Sequence, residues 1–146
     1  MSNCCSSRDL PIAVITGVHP FDVPGFHRLF RALPGIDAYL QDVENFALDW
    51  GRCRADYGAA VFYNMHPGAP PKGAVEDALL SMGETGQGRV LLTTEHQPSM
   101  RALAWTRQHM NSRVFCLQLG HDAKAWQDAN FQQVLSRGIL WASGRL

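Results

Sequence analysis

Four apolar runs of this chain end on a histidine: VITGVH at His19, VFYNMH at His66, VLLTTEH at His96 and CLQLGH at His121. They account for four of its six histidines. Carboxylates stand close by in Asp22, Glu95 and Asp122. Imidazoles beside carboxylates can bind a divalent metal such as zinc, with the carboxylate as ligand or orienter. They can also relay protons near neutral pH, or hydrogen-bond a polyhydroxyl ligand. Trp126, just past His121, could lend a flat apolar face to a sugar ring. The candidate catalytic residues are therefore His19, His121 and Asp122, and the candidate ligand-binding residues are Asp22, His66, Glu95, His96 and Trp126. The bland alternative is equally physical, because an aspartate after a strand commonly caps the next helix. His27 and His109 read as surface residues.

These groups matter only if the chain carries them to one place. Leu10 to Gly17 (LPIAVITG) is a β-branched apolar run that suits a buried parallel strand. Pro24 can open a helix whose Phe26, Leu29, Phe30 and Leu33 recur at helical spacing, and Pro34-Gly35 stops it. Strands are expected at Ile36 to Gln41, Ala59 to Asn64 and Arg89 to Thr94. Short helical or turn structure is expected at Trp50 to Tyr57, and a helix at Ala74 to Met82. Leu103 to Gln108 and Arg113 to Leu119 flank HMNS as a β-hairpin, and Asp128 or Asn130 caps a last helix. Strands alternating with helices predict an α/β sandwich around a mostly parallel sheet. Ligands of such sheets bind beyond the carboxyl ends of the strands, which is where the four histidines fall.

Composition narrows the partners. The chain has 146 residues, enough for one domain with a real core, read as residues 10–146 behind a disordered tail at 1–9. Its formal net charge is +0 and it has no basic block, which argues against nucleic acid and anionic membranes. Its apolar runs are strand-length, too short to span a bilayer. The start, MSNCCSSRDL, lacks a signal-peptide core, and four cysteines without framework spacing suit a reducing cytoplasm. Covalent catalysis finds no support: there is no G-x-S-x-G elbow, Cys116 lies inside a strand, and Cys53 has no obvious base. GETGQG precedes a strand instead of opening a helix, the wrong context for anion capture.

VITGVHPFDVPGFHRLFRALPGIDAY, VFYNMH, GETGQG, LAWTRQ, RVFCLQLGHD and GILWA together resemble ThuA-like (trehalose-utilisation) proteins. The resemblance implies a flavodoxin-like, three-layer α/β sandwich similar to class I glutamine amidotransferases but without their cysteine nucleophile. It implies a role in carbohydrate metabolism, on disaccharides or keto-sugar intermediates, and carries His19, His121 and Asp122 over as rim positions. It also implies a shortened domain. Gly88 runs directly into RVLLTTEHQPSMRALAW, which resembles a later part of the family's domain, so VLLTT would replace a lost central strand. The alternative reading is a non-catalytic binding module, with an unpaired sheet edge that favours a homo-oligomer.

Overall fold

A computed structural model of the chain describes residues 9–17, 19–64 and 88–146. His66, the expected helix at 74–82, most of GETGQG and the first eight residues lie outside the described residues. The first strand, β1 (Leu10–Gly17), runs at the centre of a parallel sheet. It pairs with β2 (Ile36–Asp42) on one side and β3 (Ala59–Asn64) on the other, in the order β2-β1-β3. Ile12 to Ile15 are all fully buried, which explains why this strand is a continuous apolar run instead of an alternating one.

Helices cover both faces of that sheet. On one face, Leu10, Ile12 and Val14 pack with Phe26, Leu29 and Phe30 of α1 (Val23–Arg31). The same cluster takes in Trp126 of α3 (Ala123–Gln127) and Ile139 of α4 (Ala129–Ala142). On the other face, Ala13 and Ile15 meet Val43 and Phe46 of α2 (Val43–Cys53). Helix α2 begins well before the expected short segment at 50–57. Asp42 accepts a hydrogen bond from the Glu44 amide at 2.7 Å, and Val43 and Phe46, three residues apart, supply its apolar face. A 3₁₀ turn at Arg54–Asp56 completes the original segment.

The expectation of a mostly parallel sheet is corrected beyond residue 88. Strand β4 (Arg89–Thr93) does not take a parallel place beside β3 among the described residues. It pairs antiparallel with β5 (Ala102–His109), which pairs antiparallel with β6 (Ser112–Leu117). The hairpin expected at the C-terminal end is therefore the outer part of a separate three-stranded sheet, β4-β5-β6. The reason is connection length. Only eight residues separate Thr93 from Ala102, and a parallel return needs a crossover of a dozen or more. Helix α4 packs against both β6 and β3, and Gly138 makes this approach close, since a Cβ there would lie 2.1 Å from the Phe115 ring.

Candidate functional site

The carboxyl end of β1 leads to His19, that of β3 carries Tyr63, and the loop after β6 presents His121. The fold brings these three together. The His19 and His121 rings stack with centroids 6.3 Å apart and planes 16° from parallel. Tyr63 lies 5.0 Å from His19 and donates its hydroxyl to the His121 carbonyl at 3.1 Å. Phe21 packs on both His19 and Tyr63, and Phe26 lies 4.5 Å from Tyr63, so an aromatic bed supports the polar groups.

The loop that presents His121 is held at two successive carbonyls. Trp126 Nε1 donates to the Gly120 carbonyl at 2.7 Å, while Tyr63 holds the next one. Gly120 itself has φ +102°, and a Cβ there would meet the Phe131 ring at 2.5 Å. Both backbone conformation and space therefore require glycine, which explains why the strand exit reads LGHD. His121 ends up exposed and His19 half-buried. His19 Nδ1 is buried and has no hydrogen-bond partner among the described residues. A buried nitrogen left unpaired costs roughly 1–3 kcal/mol, so this atom stands out among the polar groups of the rim.

Burial, and then the nearby Asp122 charge, push the Tyr63 hydroxyl above its usual value, which keeps it a neutral donor near pH 7. Asp122 faces the helix behind it: Oδ1 accepts the Lys124 and Ala125 amides, each at 3.1 Å, as the N-cap of α3. It does not hold His19 through Nδ1. Asp22 is likewise the N-cap of α1, accepting from the Gly25 amide at 3.0 Å, with Arg28 at 3.8 Å. Both aspartates thus follow the capping alternative, because the amides of a first helical turn lack intrahelical acceptors.

Other candidates stand apart. Trp126 is 3% exposed, with its ring among Phe26 and Tyr63, so the expected open face for a sugar is corrected: the indole supports the rim from beneath. Glu95 and His96 lie in the turn between β4 and β5, where Glu95 pairs with Arg101 at 3.0 Å and the His96 amide donates to Thr94 Oγ1 at 3.1 Å. Among the described residues, these partners are local to that turn. Sequence reasoning passed over Tyr63. The available signal was its place near the end of β3, on the face that Val61 also presents to the core. Among the described residues, no group of three or more His, Cys, Asp or Glu side chains is arranged to hold a metal ion.

Two hollows adjoin the rim. A cleft of about 360 Å³ lies beyond the ends of β1 and β2, lined by Thr16, Gly17, Phe21, Gln41 and Asp42 among others. A larger one, about 1130 Å³, opens between β3 and β6 below α4. It shares Tyr63, Gly120 and Trp126 with the rim, but neither His19 nor His121 lines it. It is the gap between the two sheets, and the polar chemistry sits at the rim beside it.

Fold and rim together define an α/β protein whose parallel sheet, covered by helices on both faces, and antiparallel sheet bring imidazole and phenol groups to one place. The family model for ThuA, trehalose utilisation, matches residues 61–142, more than half of the chain. The chain belongs to the ThuA family, and membership associates it with carbohydrate metabolism. The match runs from β3 to the end of α4, so His121 lies inside it and His19 precedes it. Comparison with curated proteins and with solved structures gave no match. No helix among the described residues is long and apolar enough to cross a membrane.

Proposed function

We propose that this ThuA-family protein binds a sugar or keto-sugar derivative at the rim formed by His19, Tyr63 and His121. The observation that carries the reading is the stacked imidazole pair, drawn from positions about a hundred residues apart and bedded on Tyr63. One member of that pair keeps a buried ring nitrogen unpaired among the described residues. Two imidazoles beside a phenol, each able to donate or accept a hydrogen bond, suit recognition of hydroxyl and carbonyl groups and proton transfer between them. Asp22 and Asp122 serve this site as caps that set the helices behind it. The order β2-β1-β3, with helices on both faces, supports a flavodoxin-like reading, since sheets of that order begin in the same way and bind ligands beyond the strand ends. A reducing cytoplasm suits four cysteines without framework spacing.

The test is thermal unfolding of wild type and His121→Ala with a panel of disaccharides and their keto derivatives. A ligand of the native state raises the midpoint by mass action. A sugar that shifts wild type by several degrees and His121→Ala by less than about one degree supports the site. Equal shifts in both proteins remove His121 from it. Adding zinc to chelator-treated protein sorts the chemistry further, since an upward shift lost in His19→Ala and His121→Ala assigns a metal to the imidazole pair.

A further inference from the structure

Among the described residues, the four outer strand edges are not alike. The outer edge of β2 carries Asp37 and Asp42, charges that discourage pairing with another strand. The edges of β3 and β6 face one shared cleft below α4. Strand β4 is different. Every residue of it is exposed, and Val90, Leu91 and Leu92 keep 43%, 45% and 39% of their surface in solvent. No proline or charge interrupts the run from Val90 to Thr94, although its register against β5 shifts on either side of Leu92. Edge strands of stable monomers are normally protected by such residues.

We infer that β4 is a homodimer edge: it pairs antiparallel with β4 of a second copy of this chain, across a twofold axis at Leu92. The strand's own sequence selects that partner. In RVLLTTE, antiparallel self-pairing about Leu92 sets Arg89 opposite the partner's Glu95 and Val90 opposite the partner's Thr94. The twofold axis repeats each pairing, which gives two opposite-charge pairs flanking an apolar centre, the pattern that favours cross-strand association. The ladder already extends past β4, since the Thr94 amide donates to the Arg101 carbonyl at 2.9 Å, so the strand stays extended almost to Glu95. Glu95 pairs with Arg101 at 3.0 Å, an exposed pair that a second arginine can share. The result is one six-stranded antiparallel sheet running through both copies, with the free backbone edge of each β4 paired at the axis.

Sedimentation equilibrium of the full chain across a concentration series tests this. Wild type should self-associate as a dimer. Leu92→Lys, which sets two ammonium groups face to face at the axis, should leave a monomer with an unchanged circular dichroism spectrum. Arg89→Glu and Glu95→Arg should each weaken the dimer roughly tenfold, because each creates two like-charge pairs. The double variant R89E/E95R should recover to within about threefold of wild type. A wild-type chain that stays monomeric at every concentration overturns the inference. So does a dimer that Leu92→Lys leaves intact, or a double variant no tighter than the single ones.

Discussion

The two sheets of this protein solve the same burial problem in different ways. In β2-β1-β3 the central strand is buried on both faces, with Ile12 and Val14 turned to one helical layer and Ala13 and Ile15 to the other. In β4-β5-β6 the central strand β5 buries Ala104 and Trp105, while β4 stays exposed along its whole length. The first sheet is a fixed scaffold. The second is a mixed surface, one side joined to the scaffold through α4 on β6 and the other left to solvent or to a partner. The rim lies where they meet, taking His19 and Tyr63 from the first sheet and His121 from the end of the second. A site divided in this way depends on both sheets holding their positions, although only the first is deeply buried.

Core truncation should separate the sheets most strongly. Ile12→Ala removes a fully buried side chain and should cost about 2–5 kcal/mol in denaturant unfolding. Gly120→Ala, at the junction, comes next. It combines a left-handed backbone with a Cβ against Phe131, so a loss of about 1–3 kcal/mol is expected, along with loss of the sugar response. A loss of stability with the sugar response intact would show that the loop can present His121 in another way.

A pH series probes the second sheet through Cys116. Burial pushes the Cys116 thiol on β6 up to about 11 from 9.0. Below pH 9 the thiol is protonated in both folded and unfolded chains, and its contribution is complete. Between pH 9 and about 11 the unfolded chain ionises first, so stability should fall as pH rises. Cys116→Ala should flatten that slope in urea titrations, and an unchanged slope would assign the alkaline loss to Tyr63 or other groups. Asp122→Ala, which removes the α3 cap, should cost about 1 kcal/mol in the same assay. Leu91→Ala on β4, measured in dilute protein, should stay within about 0.5 kcal/mol. A larger cost there would mean that β4 is covered within the single chain.

Much of this was legible in the residues because local pattern and local chemistry coincide. The apolar run of β1, the Pro24 to Pro34 limits of α1, the strand at 59–64 and the Asp128 cap of α4 each depend on neighbours in sequence. So does the family, carried by stretches such as VFYNMH and RVFCLQLGHD. The buried, inert character of Cys116 followed from its place inside an apolar strand. Sequence alone also placed His19 and His121 at strand exits, since the end of an apolar run is visible in one dimension.

What the tertiary structure decided was which exits meet. RVLLT carries the same apolar signal whether it pairs parallel or antiparallel, and only the short return to β5 and the resulting register set its direction. That direction placed Glu95 and His96 in a turn with local partners. It left His19 and His121 to stack over Tyr63, a residue whose role depends on a carbonyl 58 positions away. Trp126 shows the same limit, since an indole five residues after a histidine can face solvent or core, and the packing of α3 on Phe26 put it inside. Periodicity records which side chains leave water, but not which partners they find there, because those contacts depend on long-range packing among elements distant in the chain.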